Sequence, residues 1–330
     1  MIKSLQALRG VFAFMIFLHH VPVFPAGGDW GVSFFLVISG FLLARRYSDD
    51  LEGGSFDHMA FVRRRVSRIY PLHWLCLFVF FAFFAHFSLD NGRLVMLFNI
   101  LLLQSWVPSV NYYFSYYPEA WFLSVIVFCY ALFPVVAKGV LKASARRLAV
   151  WAVGVVAVYL AVVNALGSDR VLPLVYISPA FRCLDFIVGV VLYRLLCGRR
   201  IGALSTLGEL AMLALMALFV LVYAYVPERY ALASYWWVPS VILIAAFAAD
   251  GHGAVSRLLS SRPMVAFGNM SFYFYMSHGL VLQAYNDFGG PTTLWALIPG
   301  CFVASVLLAA VLERIVDGVM RMAVRARGAK

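Results

Sequence analysis

Residues 147–166 read Arg-Leu-Ala-Val-Trp-Ala-Val-Gly-Val-Val-Ala-Val-Tyr-Leu-Ala-Val-Val-Asn-Ala-Leu, twenty positions with no charge after the leading arginine. As a helix they reach about 30 Å at 1.5 Å per residue, the thickness of a bilayer's hydrocarbon core. The apolar residues are continuous and do not alternate with period two, so this is not an outer-membrane barrel strand. Comparable runs recur at roughly 5–24, 30–44, 71–88, 119–137, 171–196, 207–226, 234–250, 264–285 and 293–313, which makes ten expected spans. A further run, Leu94 to Trp106, is short for a crossing. Whole-chain composition agrees. Of 330 residues, 64% are hydrophobic and 12% charged, and the mean hydropathy is +0.89. Soluble domains carry about a quarter charged residues. A cytoplasmic enzyme, a secreted disulfide scaffold and a disordered tail are excluded, and an all-α polytopic membrane protein is expected.

The net charge of +11 is organised by topology. Of the 26 Lys and Arg, all but Arg93, Arg170, Arg182 and Arg229 fall on the side taken as cytoplasmic, leaving 22 there. This is the positive-inside pattern, and it predicts cytoplasmic termini and an even number of crossings. A crossing at 94–106 would force the basic loop after residue 137 outside, so that run is expected to be re-entrant or interfacial. The basic charge then meets anionic lipid, and nucleic acid is not needed to explain it. Lys3 and Arg9 before an apolar run ending near Pro25-Ala26-Gly27-Gly28 outline a signal peptide. The run is nevertheless expected to stay as the first span, because the remaining chain is itself membrane. The five cysteines form no CxxC pair, their odd count argues against a disulfide framework, and all lie in or beside apolar runs as expected core residues. With no internal repeat, linker or added soluble domain visible, residues 1–330 are expected to form one transmembrane domain, and no metal-ligand set is assigned.

Ionisable groups inside membrane helices are costly and point to function. Arg9 and His20 are eleven residues apart, close to three turns and about 16 Å along the first helix, so both project from one face. They are expected to line one transverse path, with His19 pointing some 100° away. On the second helix, Gly31, Ser39 and Gly40 permit close backbone approach. The loop 45–70 brings Arg63, Arg64, Arg65 and Arg68 to the cytoplasmic mouth, with Pro71 suited to the first turn of the next helix. Arginine matches phosphate bidentately, so an anionic ligand with phosphates fits, and lipid headgroups fit almost equally well. Glu119 and Trp121 open a further helix, Arg182 and Asp185 can pair within a span, and Ser271, Tyr275 and His278 share one helical stripe.

Together these segments resemble the acyltransferase-3 family of membrane acyltransferases over most of the chain, from Arg9 to about Tyr285. The family's basic residue, ten others, then histidine matches Arg9 and His20. Its glycine, paired phenylalanines and Ile-Ser-Gly-Phe match residues 31–41, and its Arg-Ile-x-Pro loop matches Arg65, Arg68, Ile69 and Pro71. Its Trp-x-Leu-Ser-Val segment matches Trp121 to Pro134, its Arg-x-x-acidic-Phe-x-x-Gly segment matches Arg182, Asp185, Phe186 and Gly189, and its last stripe matches Ser271, Tyr275 and His278. Two positions depart. Many members have glutamate where this chain has Ile126, and an acid where it has Ser33; Glu119 and Asp29 lie near those places.

The resemblance implies acyl transfer, most often acetyl from acetyl-CoA, to a hydroxyl of an extracytoplasmic or lipid-linked glycan, in a bacterial cytoplasmic (inner) membrane. It implies His20 as general base, Arg9, Arg65 and Arg68 toward the acyl-CoA donor, and Ser39, Trp121, Glu119, Arg182, Asp185, Tyr275 and His278 as supporting or acceptor-side residues. Acyl-CoA is then a co-substrate, with no tightly bound cofactor. A secondary transporter of small acids or acyl groups is the rival reading and predicts internal repeats and broken midplane helices. A non-catalytic subunit, suggested by the missing acids, predicts no CoA binding.

Overall fold

The computed structural model describes residues 2–21, 23–84, 92–199, 202–232, 234–249, 251–289 and 293–328. The ends of the expected spans at 85–88 and at 250, and the basic residues Arg200 and Lys330, lie outside the described residues. Among those described, the chain is helical with no strand. The principal helices are α1 (Lys3–His20), α2 (Ala26–Glu52), α3 (His58–Phe83), α4 (Gly92–Ile100), α5 (Ala120–Lys142), α6 (Ala145–Ala165), α7 (Pro179–Leu196), α8 (Thr206–Tyr223), α9 (Trp237–Phe247), α10 (Arg262–Asp287) and α11 (Leu294–Gly328).

Each of the ten expected spans coincides with a helix, but among the described residues six helices are long and apolar enough to cross a membrane on length and composition: α2, α3, α5, α6, α8 and α11 through Met322. A seventh is the pair Ser168–Ile177 and Pro179–Leu196, bent by 52°. The bend falls at Ser178, extended at φ −62°, ψ 127°, because the residue before a proline is driven out of the helical region. The remaining three, α1, α9 and α10, fall short for a physical reason. α9 is brief, while α1 and α10 carry the polar residues of the site described below. At the run 94–106 the α-helix is Gly92–Ile100, nine residues and about 14 Å long; Leu102 then takes φ +56°, and one 3₁₀ turn follows at Gln104–Trp106.

Two helices are longer than hydropathy suggests. α2 continues through Arg45, Arg46 and Asp50 to Glu52, and α3 starts at His58, where the Asp57 carboxylate accepts the Ala60 amide at 2.9 Å. The expected loop 45–70 therefore shrinks to a turn at 53–57. Arg65, Arg68 and Pro71 lie inside one continuous helix rather than at the start of a new one. Hydropathy reports where lipid ends, not where helical hydrogen bonding ends.

The packing order is clear. α2 is buried over 89% of its apolar stretch, whereas α8 is buried over 11% and α6 over 17%. α2 lies against α7, α1, α5 and α9, and α1 lies between α2 and α10. The outer helices expose Val150, Trp151 and Val153 on α6 and Leu207, Leu210 and Leu221 on α8. Such continuous apolar faces would be insoluble in water and are at home in lipid. The protein is a multi-pass helical membrane protein.

Gly40 and Gly189 set the α2–α7 crossing. A Cβ on Gly189 would strike the Val37 carbonyl oxygen, and one on Gly40 would strike that of Phe186. Backbone cannot retreat as a side chain can, so Gly189→Ala is expected to cost about 1–3 kcal/mol of overpacking and to lower the melting temperature in detergent. Gly154→Ala, where the new Cβ meets nothing within 4 Å, is expected to leave it unchanged.

All five cysteines are free, and four are buried as expected; Cys197 is exposed at the end of α7.

Candidate active site

Two cavities lie on either side of Tyr275. The inner one, about 260 Å³, is lined by Arg9 of α1, Ser39 of α2, Arg65 and Arg68 of α3, Ile126 and Tyr130 of α5, and Ser271 and Tyr275 of α10. The outer one, about 280 Å³, is lined by His19 and His20, Gly28, Phe114, Pro118, Glu119, Trp121, Tyr176 and Tyr275. The eleven-residue spacing thus places Arg9 at one cavity and His20 at the other, as a single face of α1 requires. Tyr275 is buried, donates its hydroxyl to the Glu119 carbonyl at 3.0 Å, and packs its ring 5.4 Å from that of Phe122.

Arginine governs the inner cavity. Arg65 and Arg68 are three apart on α3 and so share a face. The Arg65 guanidinium rests over Phe61 and Tyr130 at 5.5 and 5.7 Å, which aims it without neutralising it. The Arg9 guanidinium reaches Gln6 at 3.5 Å, and Gln6 is anchored by donating to the Gly268 carbonyl of α10 at 2.9 Å. Among the described residues the ion pairs are Arg170–Asp169 and Arg182–Asp185, so Arg9, Arg65 and Arg68 offer their charge to the cavity. The Ser271 hydroxyl is buried at its wall without a hydrogen-bond partner. Ser39 also lines it, its hydroxyl turned back to the Phe35 carbonyl at 2.6 Å. Ile126, standing where many relatives of the expected family carry glutamate, faces this same cavity and makes that wall apolar.

Histidine governs the outer cavity. His278 is fully buried, with Nδ1 2.6 Å from the Tyr275 carbonyl oxygen. A carbonyl oxygen only accepts, so Nδ1 carries the proton and Nε2 is an acceptor. The His20 Nδ1 lies 2.9 Å from the Ile16 carbonyl oxygen and 3.4 Å from His278 Nε2. Both neighbours accept, so the His20 proton is also on Nδ1, and its Nε2 keeps a lone pair. Glu119 completes the group. His20, Glu119 and His278 each bring one donor atom within 4.8 Å of the others, a set able to hold a proton or a metal ion. Glu119 Oε2 has no hydrogen-bond partner, and Gly279 makes room for the carboxylate, since a Cβ there would strike it. Sequence spacing assigned no metal ligands because this set comes from three separate regions of the chain.

Arg182 and Asp185 line neither cavity. They form a buried pair at 3.1 Å behind the outer one. Arg182 also donates to Ser33 Oγ and the Leu232 carbonyl, each at 3.4 Å, and lies 4.8 Å over the Tyr176 ring. Tyr176 in turn stands 5.1 Å from Trp121, so the pair supports the aromatic wall of the cavity. Ser33 takes the place of the expected acid directly against Arg182, and Asp29, one turn away on α2, instead accepts from Tyr223 at 2.7 Å. Sequence reasoning missed Tyr130, Tyr176, Phe114 and Gly279. Tyr130 had a local signal, since it lies nine residues after Trp121 and four after Ile126, while the others reach the site only through tertiary packing.

The family model described as an acyltransferase domain matches residues 2–314. The chain is 30% identical to the acyltransferase MdmB of Streptomyces mycarofaciens over 274 residues, 78% of this chain and 68% of that protein. It is 36% identical over 84 residues, 24% of this chain, to protein 2 in the picA locus of Rhizobium radiobacter, of which it covers 44%. No solved structure matches. Of the three readings raised by the sequence, the enzymatic one is supported: the chain is an acyl-transferring enzyme and belongs to the acyltransferase-3 family.

Proposed function

We propose that the chain is one transmembrane domain of ten crossings with cytoplasmic termini, moving an acyl group, acetyl above all, from cytoplasmic acyl-CoA to a hydroxyl of a cell-surface or lipid-linked glycan in a bacterial inner membrane. The observation that carries this is the pair of cavities flanking Tyr275, one walled by three arginines free of carboxylate partners and one by an imidazole with an available lone pair. Arginines match the phosphates of a CoA donor. Arg65 and Arg68 hold them at the mouth, Arg9 faces the thioester end, and the acyl group threads past Tyr275. From the opposite side a sugar hydroxyl enters beside Trp121 and Tyr176, whose faces suit an apolar sugar surface. His20 Nε2 takes the hydroxyl proton as its oxygen attacks the thioester carbonyl. The C–S bond breaks, and the departing CoA thiolate takes the proton back from the imidazolium. The Ile16 carbonyl and His278 fix the His20 tautomer, and the nearby Glu119 carboxylate offsets its transient charge.

The test is mass spectrometry of surface glycans from cells lacking the gene, complemented with the wild-type chain or with His20→Ala. Restoration of an acetyl-sized mass by the wild type alone supports the reading. Equal restoration by both discards the histidine, and an unchanged glycan profile across all strains discards the glycan acceptor. For the donor side, a charge-assisted hydrogen bond is worth about 1.5–3 kcal/mol. Arg65→Ala is therefore expected to raise KM for acyl-CoA about tenfold or more with a smaller change in kcat, and steady-state kinetics read the split.

A further inference from the structure

A third space shares no lining residue with either cavity above. A wholly apolar cleft of about 540 Å³ runs between α5, α6, α7 and α9, walled by Val135, Val140, Trp151, Val155, Val188 and Leu195 among others. Its α7 wall extends from Leu184 to Leu195, about 16 Å along the helix axis. At one end it adjoins a fourth space of about 570 Å³, lined by His58, Lys138 and Lys142 with Leu51, Phe56 and Pro134. Val135 and Gly139 line both spaces, so the two adjoin along α5. The Arg194 side chain donates to the Leu141 carbonyl at 2.9 Å, which brings the basic ends of α5 and α7 to one level. No carboxylate lines the basic chamber, and neither lysine is in an ion pair among the described residues.

A cationic chamber adjoining an apolar slot of chain length has the chemistry that suits an amphiphile with an anionic head. We infer that this is a binding site for one anionic glycerophospholipid, its phosphate held by Lys138 and Lys142 and an acyl chain laid in the cleft. Lysine provides point charges for a phosphate near the membrane surface, and the slot replaces bulk lipid with fixed apolar walls. The site is independent of the acyl-transfer mechanism.

The test is native mass spectrometry of the detergent-solubilised full chain titrated with phosphatidylglycerol, with phosphatidylcholine and with glycerophosphoglycerol, the same head without chains. Retention of one phosphatidylglycerol per chain, at least tenfold tighter than phosphatidylcholine, is expected. The variant K138Q/K142Q should lose that preference. Gly139→Leu, at a position lining both spaces where a new Cβ meets nothing within 4 Å, should weaken retention by a similar factor while the lysines remain. Equal retention of the two phospholipids, or undiminished retention by K138Q/K142Q, overturns the site. Equal binding of glycerophosphoglycerol, unaffected by Gly139→Leu, overturns the lipid in favour of a soluble phosphate ligand.

Discussion

Replacing His20 with alanine is expected to lower kcat for acyl transfer by about 10²–10⁴-fold, the usual contribution of a positioned general base. Protein yield and melting temperature should stay at wild-type levels. The second expectation separates chemistry from folding, because the His20 side chain is exposed to the outer cavity and, among the described residues, its ring hydrogen bonds to Ile16 and His278. His278→Ala is expected to do less. It removes the acceptor beside His20 Nδ1 but leaves the Ile16 carbonyl to hold the tautomer, so a fall of about tenfold with unchanged KM for acyl-CoA fits a positioning residue. Single-turnover kinetics on the purified variants check both figures.

The second large effect concerns stability. Asp185→Ala is expected to destabilise the protein by about 3–5 kcal/mol, because it strands a fully buried guanidinium whose carboxylate partner is gone. The Trp237 indole N–H, which donates to Asp185, loses its acceptor as well. Thermal unfolding in detergent should show a drop on the order of 10 °C. The double variant Arg182→Met with Asp185→Leu is expected to recover most of that loss, since replacing both ions with apolar groups removes the desolvation cost along with the attraction. Acyl transfer should recover less fully than stability, because Arg182 also braces Tyr176 at the outer cavity wall. A double variant as unstable as the single one would mean that Arg182 holds the fold through Ser33 and Leu232 rather than through Asp185.

The spans most legible in the sequence are those that touch only lipid or apolar core. The twenty residues from 147 to 166 need no tertiary information, because hydropathy alone places them in the membrane. α1 and α10 are harder to read, since Arg9, His20, Asn269 and His278 lower their hydropathy, and they are tolerable only because each faces a cavity or another polar group. Helix ends were misread where they pass beyond lipid. Arg45 to Glu52 and His58 to Arg68 are rich in polar and charged residues, yet neither holds a helix breaker; the break between them falls at Gly53 and Gly54.

For the site, local spacing carried Arg9 with His20 and Arg65 with Arg68, because each pair sits on one helix. Spacing could not show that Glu119 would meet His20 and His278, or that Gly279 leaves room for its carboxylate, because those contacts depend on how three helices cross. Arg182 and Asp185 illustrate the opposite error. Their adjacency was readable, but their place behind the cavity wall was not.

In the proposed reaction, donor and acceptor reach His20 from opposite faces of the membrane. Radiolabelled acetyl-CoA does not cross sealed bilayers, so it can be offered to inverted membrane vesicles, which expose the cytoplasmic face, and to right-side-out vesicles from the same cells. Label is expected to enter vesicle-bound glycan only in inverted vesicles and to be absent from inverted vesicles carrying His20→Ala. Equal labelling of right-side-out vesicles, or labelling retained by His20→Ala, would contradict it.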